Sequence, residues 1–231
     1  WNGKIYLFKD SGWTYRNLLD QVIPIVIDAG YDVVVDDRRI DYGPITDRLM
    51  PVGENYLAGC FLKDKPLVLR DYQRAAINQA ISDGCGILEM ATGSGKTLVA
   101  AVISKVYAEF GRVVVIEPTI DLVIQSMATF RAVGIDPGIW YGEEKNRKQV
   151  TLATWQSLDH FPELFEGVVC FIVDEAHQAK AAVLNEMLSG PGSQVPYRFG
   201  CSGSLPQDEL FRSQIKAVIG PSIFQLTSWE L

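Results

Sequence analysis

The sequence predicts an α/β domain, with a parallel sheet covered by helices on both faces, preceded by a small α+β unit. Three observations predict it. From Val68 onward, short and wholly apolar runs alternate with stretches that are apolar at helical spacing. Strands without a polar side are strands buried on both faces, which is how parallel sheets are built. A glycine-rich turn, ATGSGKT, joins the first apolar run to the first long helix. Residues 1–65 lack this alternation and form the separate small unit with its linker, leaving 66–231 for the larger domain.

Taken in order, WNGKIYLF alternates like a strand, with Asn2-Gly3 as a turn signal. TYRNLLDQVIPIVIDAG is apolar at helical spacing and closes at Gly30, with Pro24 expected to kink or interrupt it. YDVVVDDRR predicts a strand running into a charged loop. The stretch from Ile45 to Pro66, with Pro51, Gly53 and Gly59 inside it, predicts a linker with some attached structure. The larger domain then gives strands at CGILEM, RVVVIEP, QVTLATW, VVCFIVDEA, YRFGCSGS and SIFQLT. Between them lie helices at GKTLVAAVISKVYAEFG, TIDLVIQSMATFRAVG, AAVLNEMLSG and DELFRSQIKAVIG. No internal repeat or low-complexity segment interrupts this order.

The chain has 231 residues, 48% of them hydrophobic and 21% charged, enough for one full core and a smaller companion. No apolar run is long enough to span a bilayer and no signal peptide opens the chain, so a cytoplasmic setting is expected (the host cytoplasm if the source is viral). Because residue 1 is Trp, the natural N-terminus is expected to be missing. Cys60, Cys85, Cys170 and Cys201 form no C-x-x-C pair and read as buried thiols in a reducing compartment. A net charge of −7 argues against coating nucleic acid by bulk electrostatics. It leaves room for a local basic track, for which Arg38-Arg39 and the run from Lys145 to Lys148 are the candidates, each also readable as a solvated loop.

MATGSGKT keeps the working end of a phosphate-binding loop, although Met90 stands where the strict pattern has glycine. Backbone N–H groups of Thr92, Gly93, Ser94 and Gly95, with the N-terminus of the helix that follows, suit phosphate oxygens. Lys96 supplies an ammonium for the β and γ oxygens, and Thr97 a hydroxyl for Mg²⁺. FIVDEAH places two carboxylates at the end of an apolar strand. Asp174 is the candidate metal holder and Glu175 the group that orients and deprotonates water; the plainer reading is that both merely cap a helix. His177 has no second ligand at metal spacing and reads as a relay between hydrolysis and a neighbouring domain, while His160 reads as an ordinary surface residue. Gln73, about twenty residues before the loop, carries a donor and an acceptor suited to the N6/N7 edge of adenine. Pro118 and Thr119 after one strand, and Thr154 and Gln156 after another, offer helix starts for a nucleic-acid phosphate. Ser202 and Ser204 offer hydroxyls to the Asp174–His177 turn.

The order of these stretches, YQ, ATGSGKT, PT..L..Q, TWQSL, DEAH, SGSL, resembles the first motor domain of superfamily 2 helicases from about Leu67 to Leu231. That resemblance implies a RecA-like fold, ATP with Mg²⁺, and movement along nucleic acid. The N-terminal WNGKIYLF unit together with YQ and TWQS is similar to the UvsW-like phage branch-migration helicases. That similarity implies a small domain engaging branched, forked or duplex DNA in recombination or repair. Such helicases complete their ATP site with arginines from a second RecA-like domain, so the chain is expected to be an N-terminal fragment. It is therefore expected to be nearly inactive alone. Motors of restriction systems and RNA helicases share these motifs. A nucleotide-gated binding module that never translocates is the alternative from another class.

Overall fold

The computed structural model describes residues 14–36, 43–158, 162–178, 181–205 and 207–231. A 3₁₀ turn leads into α1 (Leu19–Asp28), followed by α2 (Gly43–Thr46) and a short hairpin of β1 (Phe61–Leu62) and β2 (Lys65–Pro66). Then come α3 (Asp71–Asp83), β3 (Cys85–Met90), α4 (Lys96–Tyr107), β4 (Arg112–Glu117), α5 (Ile120–Ala132), β5 (Gly138–Tyr141) and β6 (Glu144–Asn146). The chain continues through β7 (Val150–Thr154), β8 (Val168–Val173), α6 (Ala181–Ser189), β9 (Tyr197–Ser202), α7 (Glu209–Val218) and β10 (Ser222–Leu226).

Strands β3 to β10 form one eight-stranded sheet in the order β10-β3-β9-β8-β4-β7-β5-β6, parallel throughout except for β6, which runs antiparallel at the edge. Successive residues of each central strand point to opposite faces. In β4, Val113 and Val115 pack under α3, α4 and α5, while Val114 and Ile116 pack on the other side with α6 and α7. In β8, Cys170 and Ile172 divide from Phe171 and Val173 in the same way. Both faces are dry, which is why these strands are apolar without interruption.

The region read as a linker contributes to this core. Val52 and Leu57 are each 2% exposed and belong to the cluster under α3 and α4. The Asn78 carboxamide of α3 accepts from the N–H of Val52 (2.7 Å) and donates to its C=O (3.2 Å), pinning that stretch in place.

Three expectations are corrected. Of the two outcomes expected at Pro24, interruption does not occur, because α1 runs through it. Proline's fixed φ suits a helix, and only one carbonyl loses its partner; no residue of α1 is buried, so water reaches that carbonyl. Tyr31–Asp36 is not a strand, and Val34 is 91% exposed. A strand needs a ladder partner, and these residues have none among the described residues. The basic run from Lys145 is not simply a loop, because Glu144–Asn146 pairs with Gly138–Tyr141 as the hairpin β5–β6. The expected strand at WNGKIYLF, and Arg38, Arg39 and His160, lie outside the described residues. None of the four cysteines forms a disulfide; Cys170 and Cys201 are buried, Cys60 and Cys85 half-buried.

At the end of the sheet away from the glycine-rich loop, one guanidinium ties several turns together. Arg198 of β9 donates from Nε to Val195 C=O (2.9 Å) and from Nη1 to Val218 C=O (3.0 Å). Its Nη2 donates to Gly192 (3.2 Å) and Ser193 (2.9 Å). Burial lowers its pKa to about 10. Val218 closes α7, where the helix dipole favours a cation. Replacing Arg198 by Met removes four hydrogen bonds to carbonyls, three of them partly buried, and we expect a loss of about 2–3 kcal/mol in urea unfolding. An unchanged midpoint would show that water takes over those carbonyls.

Candidate nucleotide site and an adjoining groove

The polar groups that the motifs predict gather at the carboxyl ends of the strands, opposite the Arg198 cluster. There the sequence puts the loop after β3, Asp174 and Glu175 after β8, Ser202 at the end of β9, Glu117 and Thr119 around the end of β4, and Thr154 at the end of β7.

Met90 is fully buried in the core under α3 and α4, so this position serves packing and the loop begins after it. Gly93 and Gly95 have φ of +85° and +84°, the left-handed conformation that turns the chain back into α4. Lys96 opens α4 only 8% exposed, its Nζ 3.5 Å from Met90 C=O and 3.5 Å from Glu175 Oε1. Thr97 follows, half-buried, and Thr92 is exposed at the loop tip. The Ser94 side chain is buried and its Oγ has no hydrogen-bond partner.

Gln73, 4% exposed, uses both ends of its carboxamide on the protein. Its Oε1 accepts from Arg70 N–H (3.0 Å) and its Nε2 donates to Ser94 C=O (2.8 Å). The Tyr72 hydroxyl donates to the same carbonyl at 3.3 Å. Here Gln73 anchors the loop; reading a base requires it to exchange one of these bonds.

Asp174 is 5% exposed, and its Oδ1 accepts the Glu175 N–H at 2.8 Å. Burial raises its pKa to about 6. Glu175 adopts φ of +47°, costly for a residue with a Cβ, and its carboxylate meets both Lys96 and His177 (3.3 Å). The Ser202 hydroxyl donates its one hydrogen to Ser204 C=O (3.1 Å), so its oxygen accepts from His177 Nδ1–H (3.0 Å). That chain fixes the tautomer of a neutral His177. Thr92, Glu175, His177 and Ser204 line a cleft of about 490 Å³ beside the loop.

Beside it lies a groove of about 680 Å³ that brings together Pro118, Thr119, Thr154 and Gln156. Thr119 caps α5 by accepting from Leu122 N–H (3.3 Å), and the Thr154 hydroxyl meets that of Ser157 (3.1 Å). The far wall is the β5–β6 hairpin, through Gly142 and Lys145, whose Nζ stands 5.2 Å from the centre of the Trp140 ring. Sequence reasoning missed this wall, though Gly142 between two short runs was its signal. It also missed Glu117, a carboxyl 1% exposed on β4. Burial, and then the charge of Asp174, raise its pKa to about 8.

A family model described as type III restriction enzyme, res subunit, matches residues 66–198, more than half of the chain. The chain belongs to that family. It carries the motor motifs of superfamily 2 helicases on a RecA-like fold. It is 31% identical over 172 residues to the DNA 3'-5' translocase XPB2 of Sulfurisphaera tokodaii, covering 74% of this chain and 38% of that protein. It is 27% identical to the ATP-dependent DNA helicase uvsW of Enterobacteria phage T4, covering 100% of this chain and 48% of that protein. The chain thus spans less than half the length of these relatives. The crystal structure of the UvsW helicase from bacteriophage T4 superposes with a TM-score of 0.76 at 20% identity, over 98% of this chain and 84% of that one. The helicase domain of Pyrococcus furiosus Hef superposes at 0.58 and 21% identity, over 67% and 38%.

The two buried acids make stability depend on pH. An acid whose pKa is higher folded than unfolded holds its proton in the fold, so raising the pH takes stability away. The ordinary values are 3.8 for Asp174 and 4.5 for Glu117, against about 6 and about 8 in the fold. Without nucleotide or metal, the melting temperature should fall as pH rises from about 5 to about 8. Glu117→Gln should flatten the fall; an equal slope in that variant would show that Glu117 is ionised throughout.

Proposed function

We propose that this family member is the first motor domain of an ATP-dependent DNA helicase or translocase acting on branched DNA in recombination or repair. One observation carries the reading most: Lys96, Asp174 and Glu175 converge at a left-handed glycine loop, next to a second groove. The buried, orphaned Ser94 hydroxyl and the buried Asp174, whose ionised form lacks solvation, suit a site for a polyanion with its cation. Thr97 and Asp174 would hold Mg²⁺, which when bound draws charge from the phosphates of ATP. Lys96 then exchanges Glu175 for phosphate oxygens. Glu175, released, orients and deprotonates the attacking water, while His177 and Ser202 hold the orientation of its turn. Gln73 is the candidate reader of adenine.

The groove is the candidate track for the DNA backbone, with phosphates at the α5 N-terminus, near Pro118 and Thr119, and at Thr154 and Gln156. Residues 1–65 are read as an accessory unit that engages DNA and 66–231 as the motor, in keeping with a match to the T4 helicase that runs through both. The same match, to an ATP-dependent DNA helicase, favours a helicase over a restriction motor. Among the described residues no arginine lines the cleft beside the loop. We assign that role to a second RecA-like domain of the full-length protein, where an arginine is worth roughly 10³ to 10⁵ in rate. Residues 1–231 alone are therefore expected to hydrolyse ATP slowly. ATP as substrate is consistent with a cytoplasmic setting, and no described helix is long and apolar enough to cross a membrane.

ATP hydrolysis by the full-length protein, with single-stranded, duplex and forked DNA and with RNA, tests the reading. Forked DNA should stimulate most. Glu175→Gln should cut kcat by about 10² to 10⁴ while ATP still binds, and Lys96→Ala should lose ATP binding itself. Nucleotide binding without stimulation by any nucleic acid would make this a gated binding module, and stimulation by RNA alone would make it an RNA helicase.

A further inference from the structure

Strand β4 ends in a carboxyl group that its packing does not require. Residues Val113 to Ile116 fill the core on both sides, and a valine at 117 would extend that run. A carboxyl 1% exposed instead costs desolvation, so stability does not account for Glu117. Its surroundings do. On one side of β4, Glu117 is in register with Thr154 of β7, a residue of the groove. On the other side, Ile116 C=O receives the N–H of Asp174 at 2.9 Å, placing the candidate metal holder at the neighbouring strand end. Above, Glu117 Oε1 accepts from the hydroxyl of Ser126 at 2.6 Å, and Ser126 is itself 3% exposed. That length lies within the normal range of an O–H···O bond. Ser126 lies about two turns into α5, the helix whose first residues line the groove. Helix α5 is thus fixed to β4 both through Thr119, which caps it, and through Ser126.

We propose that Glu117 is a positioning residue that ties α5, and with it one wall of the groove, to the strand end beside Asp174. Occupation of the groove is thereby felt at the nucleotide site. The inference rests on the reading of the loop as the ATP site and of the groove as the DNA track. A shift of α5 on binding a phosphate backbone pulls on the Ser126–Glu117 bond and on no other side-chain bond between α5 and β4 among the described residues. Strand β4 is bonded to Asp174, so the displacement arrives at the residue that would hold the cation. Neither Glu117 nor Ser126 touches ATP or DNA in this scheme.

The test compares ATP hydrolysis with and without forked DNA in the full-length protein carrying Glu117→Val, Glu117→Gln or Ser126→Ala. Melting temperatures confirm that each variant folds; Ser126→Ala, the smallest change, probes the same bond should Glu117→Val fail to fold. Without DNA, kcat and the KM for ATP should stay within about twofold of wild type, since no catalytic group is altered. Glu117→Val and Ser126→Ala should each lower the stimulation by DNA by about fivefold or more. Their combination should do no worse than either alone, because both break one bond. Glu117→Gln keeps an acceptor for Ser126 and should retain stimulation. Undiminished stimulation in Glu117→Val or Ser126→Ala, or additive losses in the double variant, would overturn the inference while leaving the ATP and DNA assignments intact. Absence of stimulation in the wild-type protein would overturn those assignments and the inference with them.

Discussion

A sheet covered on both faces can keep charge only at its edges, and the chemistry of this chain follows from that constraint. The four neighbouring strands β3, β9, β8 and β4 offer no polar position along their buried length that is not matched by a specific partner. Their carboxyl ends are where the chain leaves the ladder and backbone N–H groups become available. The glycine loop, the Asp174–Glu175 pair and the Ser202 turn are all products of that exit. Their mutual distances are set by strand spacing rather than by the loops themselves.

Between its elements the site is self-neutralised. Lys96 faces Glu175, Glu175 faces His177, and Ser94 C=O is held by Gln73 and Tyr72. Each of these contacts uses a group that phosphate, cation or base chemistry also suits. In the proposed ATP site, binding would be an exchange of partners rather than the filling of bare charges, which keeps the desolvation cost of the buried ammonium low.

Much of this was legible in the sequence, for identifiable reasons. Six strands of the larger domain were found because continuous apolar runs such as Val168–Val173 have no other common explanation. The convergence of Lys96, Glu175, His177 and Ser202 was implied by their positions at strand ends. The hairpin β5–β6 was hidden because Glu143, Glu144 and Lys145 outweigh the short apolar signal of Ile139 and Tyr141. The exposed Val34 misled because alternation and β-branching describe what a strand needs from itself, not whether a partner exists. Glu117 was invisible because burial of a carboxyl depends on α5 folding over it. Anchoring by Gln73 instead of open display was unreadable for the same reason, since it requires the loop to be in place.

The contact between α3 and the glycine loop bears on how this chain can change over generations. A Cβ at residue 95 would lie 2.5 Å from Gln73 Nε2, and the backbone there has φ of +84°. A side chain at 95 would push the carboxamide of Gln73 aside, and a shorter residue at 73 would relieve the clash but not the backbone strain. Residue 95, 22 positions further along the chain, is thus held to glycine by its own backbone first and by Gln73 second, whereas glycine at 95 sets no steric limit on residue 73.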